Sequence, residues 1–165
     1  MPRLAVVRGT GLSNTLSFPL IPQAFTELEC TLIGRATGGS GAVAAELVLN
    51  GDVAAHYDVL LQGANNGGYL IDNRVAQNNM VLAFVAASAA GANVVCASKF
   101  WLPGYAAGTF FKQVLCLTGN VGGGFDASKT VTGLWLSTAA ITQMDLVVSA
   151  GNWTSDSVLY VWGRM

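Results

Sequence analysis

Histidine is the side chain best suited to acid–base chemistry near neutral pH, and His56 is the single one in this chain. It stands two residues before Asp58, so in a strand the two side chains share a face and could form a ligand or acid–base pair. One histidine with one aspartate is too small a set for a metal, and no serine or cysteine nucleophile stands beside it in the sequence. We therefore expect His56 to be a surface residue.

Glu27 and Glu29, two of only three glutamates, are the second candidate pair. They share a strand face and have the residue types of a glycosidase pair. Two carboxylates on the polar face of an edge strand more often keep that edge soluble and unpaired. We expect this second role, and no enzymatic activity.

The segment GGFDASKT, from Gly123 to Thr130, approaches the pattern of a phosphate-binding loop. Gly123, Lys129 and Thr130 have the right spacing, but Ser128 stands in place of the second glycine. The residues after Thr130 alternate as a strand, whereas such a loop needs a helix whose N-terminus faces the phosphates. We expect neither a nucleotide nor any other cofactor.

Cys30, Cys96 and Cys116 are widely spaced, and each lies in an apolar strand pattern. No C-x-x-C motif or Cys/His cluster occurs, which argues against zinc. Buried free thiols that behave as small hydrophobic side chains are the prediction, with a disulfide or metal site as the alternative.

Four aromatic residues are candidates for contact with another molecule. They could form a sugar-binding surface, but packing in the core or at a subunit interface is the commoner use of tryptophan in all-β proteins. Trp153 draws attention because it follows a Gly-Asn turn rather than lying within a strand pattern. The candidates for interface or glycan contact are Trp101, Tyr105, Trp153 and Trp162.

The composition of the 165-residue chain predicts self-association. Charged residues make up 10%, hydrophobic residues 52%, and the mean hydropathy is +0.49. A lone globular protein needs more surface charge than this, so we expect an obligate oligomer. The net charge of −1 and the scattered basic residues give no basis for binding nucleic acid.

Two segments bear on membranes and export. The uncharged run Met80–Ala97 is long enough to span a bilayer, but its alanines, Gly91 and Asn93 weaken it, and no basic cluster flanks it. We predict two buried strands instead, Met80–Ala86 and Asn93–Leu102. The N-terminal sequence MPRLAVVRGTGL has a short apolar core interrupted by Arg8, which argues against a signal peptide.

The periodicity of the chain predicts an all-β fold. Residues 1–24 hold three of the four prolines and are expected to form an extended N-terminal arm that lies on a neighbour, or a disordered tail. Residues 25–165 form eight or nine strands of alternating pattern, with Asn50-Gly51 as a hairpin turn and three consecutive strands over Thr130–Gly163. We predict an antiparallel β-sandwich of jelly-roll type.

Several motifs in this order resemble those of tailed-bacteriophage virion proteins. The C-terminal series runs through Thr138–Thr142, Ser149–Trp153 and Val158–Gly163, where Trp153 replaces the usual Phe, Asp156 a common Gly, and Trp162 the usual Tyr. Upstream, Leu47–Asp52 with Tyr57 is similar to the Asn-Gly-Asp hairpin of that group, and Pro103–Thr109 with Lys112 to its strand connection.

The resemblance covers about residues 25–163 and implies a jelly-roll protein of the tail-fibre, tailspike-base or capsid-decoration type. It implies a homotrimer bound to capsid or tail proteins, assembled in the host cytoplasm and located in the virion. It carries no catalytic residues. The alternative from a different class is a carbohydrate-binding module that recognises the host surface.

Overall fold

The computed structural model describes residues 1–65, 67–91, 93–120 and 127–165. Over these residues the chain forms twelve β-strands and no helix. The strands are β1 Arg3–Arg8, β2 Thr15–Phe18, β3 Glu27–Gly34, β4 Ala42–Leu49, β5 Tyr57–Asn65, β6 Gly68–Gln77, β7 Met80–Ala86, β8 Cys96–Pro103, β9 Lys112–Asn120, β10 Ala127–Trp135, β11 Met144–Val148 and β12 Val158–Arg164.

The strands form two antiparallel sheets packed as a β-sandwich of jelly-roll type. The larger sheet has the order β1-β12-β3-β8-β9-β10-β5-β6, and the smaller sheet β2-β11-β4-β7. The chain changes sheet repeatedly, so most strands pair with partners distant in sequence. The predicted fold class is confirmed.

The core lies between the two sheets and is filled from alternate positions of the strands. Leu28, Cys30 and Leu32 of β3 face inward, as the alternation in the sequence predicts. Tyr57, Val59 and Leu61 of β5 and Met144, Leu146 and Val148 of β11 do the same. Period-two patterning is an accurate signal for these strands, because each sheet has one face on the core.

The last three strands do not all lie in one sheet. β10 and β12 lie in the larger sheet, whereas β11 lies in the smaller one. The predicted Asn50-Gly51 hairpin likewise joins strands of different sheets. The turn itself is present, with φ of 53° at Asn50 and 68° at Gly51. Asp156 does not adopt a positive φ, so replacing glycine there strains nothing.

Residues 1–24 are extended but do not leave the sandwich. β1 pairs with β12 in the larger sheet, and β2 pairs with β11 in the smaller one. The expected boundary at residue 24 therefore does not separate an arm from the domain. Prolines 19 and 22 follow β2 rather than interrupt a strand, which is how two strands form in a proline-rich segment.

The segment Met80–Ala97 contains strand β7 and the start of β8, as predicted, with the small residues between them outside both strands. None of the described residues belongs to a helix that is long and apolar enough to cross a bilayer.

Candidate functional site

His56 is exposed and contacts Asp52 rather than Asp58. Its Nδ1 lies 2.9 Å from Asp52 Oδ2, which also accepts a hydrogen bond from Trp135 Nε1 at 2.8 Å. Burial raises the pKa of Asp52, but the hydrogen bonds from Trp135, His56 and the Ala54 N–H outweigh it and hold that pKa below its usual value. The Asp52–His56 pair stabilises the turn before β5, so we assign it a structural role.

Glu27 and Glu29 lie on an interior strand, so their expected role at a sheet edge is wrong. β3 is flanked by β12 and β8, whose cations neutralise the carboxylates: Lys99 Nζ lies 2.6 Å from Glu29 and Arg164 Nη1 3.2 Å from Glu27. The hydrogen bond from Lys99 lowers the pKa of Glu29 against the opposing effect of burial. Both glutamates are therefore held in cross-strand ion pairs.

The phosphate-loop candidate does not form a site in the described residues. Gly123 lies outside them. Lys129 and Thr130 belong to strand β10, and Lys129 is buried with its Nζ 3.9 Å from the centre of the Phe84 ring. Burial lowers the pKa of Lys129. A strand in place of a helix N-terminus leaves no cradle for phosphate at these two residues.

Lys112 is a fully buried cation at the start of β9. Its Nζ donates to the carbonyl oxygens of Phe110 at 2.7 Å and Thr138 at 3.0 Å. Burial lowers its pKa. The two hydrogen bonds tie the start of β9 to the segment after β10, so we assign Lys112 a structural role.

The three cysteines are free and buried, as predicted. Cys96 Sγ lies 3.3 Å from Ser98 Oγ and 3.4 Å from Thr118 Oγ1. Over the described ranges, no group of three or more His, Cys, Asp or Glu residues could hold a metal ion.

The four aromatic candidates separate into two buried and two partly exposed residues. Trp153 is fully buried, donates from Nε1 to the Leu146 carbonyl at 3.0 Å, and packs against Gly34. Tyr105 is also buried, and its hydroxyl donates to the Pro22 carbonyl. Trp101 and Trp162 lie on the outer face of the larger sheet, and only these two of the four can reach another molecule.

Trp101 and Trp162 flank Glu29 in one row across the outer face. Trp162 is directly opposite Glu29, and Glu29 directly opposite Trp101. The ring of Trp162 stacks on Tyr160 with centroids 5.7 Å apart, and Lys99 Nζ lies 5.5 Å from the Trp101 ring centre. We call the outer face of β12, β3 and β8 the aromatic half; its charged groups form ion pairs with one another.

The outer face of β9, β10, β5 and β6 has a different character, and we call it the apolar half. The rows of side chains that run across the strands continue from the aromatic half into the apolar half. The row that contains Trp101 continues through Leu115 of β9, Thr132 of β10 and Leu60 of β5. Among its regularly paired outward positions in the described residues, Asp58 is the one charged side chain. Exposed fractions are 44% for Leu115, 53% for Leu117, 64% for Ile71 and 70% for Tyr69. The face thus combines exposed apolar side chains with uncharged polar ones, among them Gln113, Thr132 and Gln62.

A shallow groove of about 470 Å³ lies where the two halves meet. Its floor includes Ala97 and Gly119, whose small size leaves the space open, and its walls include hydroxyl groups of Thr31 and Thr130 and the ammonium of Lys99. Most of its lining surface is apolar, and the Lys99 ammonium is already paired with Glu29.

Sequence reasoning anticipated part of this surface. In the sequence, residues 109–118 alternate as a strand that is apolar on both faces, a pattern typical of a strand with a second buried side, and Leu115 and Leu117 are its exposed members. β6 was not predicted. Its sequence YLIDNRVAQ lacks alternation because its residues are exposed on both faces.

No protein-family model matches the chain, and no curated protein is significantly similar to it. Among solved structures, the chain is similar to the CBM40 domain of the IT-sialidase of Ruminococcus gnavus, bound to α2,3-sialyllactose. The two share 10% identity over 98% of this chain and 92% of that chain, with a TM-score of 0.34. A likeness at this level implies no shared ligand.

Proposed function

We propose that this protein is a non-enzymatic structural component of a bacteriophage particle and that it assembles by self-association. The single observation that carries the self-association is the apolar half of the larger sheet. Leu115, Leu117 and Ile71 are exposed there on regular strands, where a monomer would place polar residues.

The dimensions of the outer face suit a stable interface. Four strands about 4.8 Å apart, each of about nine residues rising about 3.3 Å, cover roughly 570 Å² as a plane. Two such faces bury about 1,100 Å², near the lower end of specific interfaces, and the three strands of the neighbouring aromatic half add about 760 Å². The scarcity of charge on the apolar half favours another copy of this chain as its partner.

The setting in a phage particle is supported by the resemblance of the motifs from Leu47 to Gly163. The same resemblance supports a homotrimer attached to capsid or tail proteins. The residues with possible chemistry support a non-enzymatic role, because Asp52 and His56 secure a turn and Glu29 is held by Lys99. A virion location follows from the same proposal.

Self-association is tested by the molar mass in solution. We expect light scattering after size exclusion to give a multiple of 17.1 kDa at micromolar concentration. Leu117→Lys should shift the protein toward 17.1 kDa with an unchanged circular dichroism spectrum, since Leu117 is half exposed in the isolated chain. Val53→Lys, at an exposed loop position away from the sheet face, is the matched control and should remain associated.

A wild-type protein that is monomeric at micromolar concentration would refute the proposal. So would the reverse result for the two variants, in which Leu117→Lys associates normally and Val53→Lys does not.

The phage setting has its own test: mass spectrometry of purified particles should detect the chain at a fixed ratio to the major capsid protein. Particles that lack it would contradict a virion role.

Carbohydrate binding is the second candidate, and the groove beside Lys99 favours it. Its hydroxyl groups and small floor residues suit a sugar ring, and Trp101 lies on the neighbouring row. Glycan-array binding that is lost in Trp101→Ala would support this function. Trp153→Ala is unsuitable for the test because Trp153 is in the core, and its loss would unfold the protein. If the protein binds no glycan on the array, assembly remains its proposed function.

A further inference from the structure

Strand β6 forms one edge of the larger sheet. Within the described part of the chain it pairs with β5 alone. Neighbouring residues Leu70 and Ile71 point to opposite faces, yet 37% and 64% of their surfaces are exposed. The strand therefore extends past the four-stranded sheet and exposes both faces as well as its free edge.

The edges formed by β1 and β2 are shorter than β6, whose own protection consists of Asp72, Arg74 and a bulge near its end. β1 has six residues, begins after Pro2, carries Arg3 and Arg8, and is irregular near its start. β2 has only four residues and is followed by prolines. The edge strand β7 is almost fully buried. β6 has ten residues with neither lysine nor proline, and only a bulge and the positive φ of Ala76 interrupt its far end.

When two copies of β6 are placed side by side in opposite directions, the side chains that lie opposite each other are complementary. In an antiparallel pair centred on Asn73, Asp72 of one strand lies opposite Arg74 of the other, and Ile71 lies opposite Val75, the first residue of the bulge. Both pairs repeat on the other side of the centre because the arrangement has two-fold symmetry. Opposite charges and apolar side chains directly across two strands are the pairs that stabilise antiparallel sheets.

We propose that β6 is a self-pairing edge, at which two copies of this chain join antiparallel about a two-fold axis at Asn73. The partner is a second copy rather than a foreign strand, because the charge pattern matches itself. Asp72 and Arg74 of one chain already lie 2.7 Å apart and are each about one-third exposed, so both can turn to a partner across the edge. The contact joins two eight-stranded sheets into one.

This inference rests on the proposed self-association and specifies the geometry of one contact between two copies. A two-fold contact gives an even number of copies. In an assembly of trimers it is the contact between one trimer and the next. If the apolar half does not associate, the edge alone gives a dimer.

Cysteine cross-linking tests the axis directly. Residues directly opposite across an antiparallel pair have Cβ atoms about 4.5–5.5 Å apart, within reach of a disulfide after a small adjustment. We expect Asn73→Cys to give a disulfide-linked dimer under mild oxidation. Tyr69→Cys, more exposed and on the same strand, is the control: the two copies of position 69 would lie about 27 Å apart at about 3.4 Å per residue. The native thiols are buried and add no background.

The outcomes separate the two proposals. An associated protein in which Asn73→Cys does not cross-link, or cross-links no faster than Tyr69→Cys, overturns the β6 axis and leaves self-association standing. A monomer that does not cross-link overturns both.

A charge exchange gives a second readout. Asp72→Arg should weaken association through β6 by about tenfold, because it places like charges across the axis twice, and Asp72→Arg with Arg74→Asp should restore it. Equal association of all three proteins would contradict the register.

Discussion

Tyr57 lies in the core, and its hydroxyl holds the turn that carries the chain from the smaller sheet to the larger one. The hydroxyl accepts a hydrogen bond from the Leu49 N–H at 3.0 Å and donates to the Asp52 carbonyl at 3.0 Å. Burial raises the pKa of Tyr57 to about 12, against the opposing effect of the Leu49 N–H. This side chain thus links stability to pH.

Stability should fall between pH 10 and 12 because of Tyr57. An unfolded tyrosine loses its proton near pH 10, whereas the folded one keeps it to about 12. In this window the unfolded state binds fewer protons, so the free energy of unfolding decreases by up to about 1.4 kcal/mol per pH unit. Denaturant unfolding of Tyr57→Phe should show a shallower decline, and the exposed Tyr69→Phe should match the wild type. Identical slopes for all three would contradict the assignment.

At the scale of single residues, sequence patterns separate core from surface well within strands and poorly in turns. Leu28, Cys30 and Leu32 follow their alternation. Trp153 and Tyr105 were expected to contact other molecules, but both are buried in this chain. Tyr105 follows Gly104 and Trp153 comes two residues after Gly151, and both lie outside the strands, where no periodicity indicates which way a ring points. Their partners, Gly34 and the Pro22 carbonyl, lie far away in sequence.

Among the strands, those with one buried face were predictable and those with none were not. β3, β5, β9, β10, β11 and β12 alternate clearly in the sequence. β6 does not, because it has no buried face to impose a pattern. The division of the strands between two sheets was also not predicted. Alternation indicates that a strand has a buried side, but it does not identify the neighbouring strands.

The N-terminal segment offers a test of the pairing seen in β1 and β2. Leu16 of β2 is buried, whereas Leu12, four residues earlier, is 87% exposed. Leu16→Ala should lower the free energy of unfolding by about 2–4 kcal/mol, the usual cost of truncating a buried leucine. Leu12→Ala should change it by less than about 0.5 kcal/mol. If neither substitution matters in denaturant unfolding, residues 1–24 are a dispensable arm, as their proline content indicates.

For the molecule as a whole, the buried thiols report on opening of the sandwich. Burial raises the pKa of Cys30 well above its usual value and that of Cys116 to about 12. Only the thiolate reacts readily, so native protein at pH 8 should be labelled by a thiol reagent very slowly. All three thiols should react promptly in guanidinium.

The Asn73→Cys variant supplies the control, since its added thiol is on the exposed strand β6 and should react at once, before oxidation. Rapid labelling of a native cysteine in the folded wild type would mean that the two sheets separate far more often than their packing implies.

The low charge content of the sequence indicates that part of the surface is buried against other copies, but composition alone does not show which part. The apolar half draws its residues from four strands spread between Asp58 and Leu134. No single stretch of sequence displays it, because the rows that join Leu115, Thr132 and Leu60 exist only after the strands pair.

The pairing of β1 with β12 has a consequence for the order of folding. Val7 lies opposite Leu159, so the two strands pair across all ten strands that lie between them in the chain. Loop closure over such a distance is slow, and the pair forms only after β12 has been synthesised. Until then β1 is an unpaired strand that can pair with the same strand of another copy.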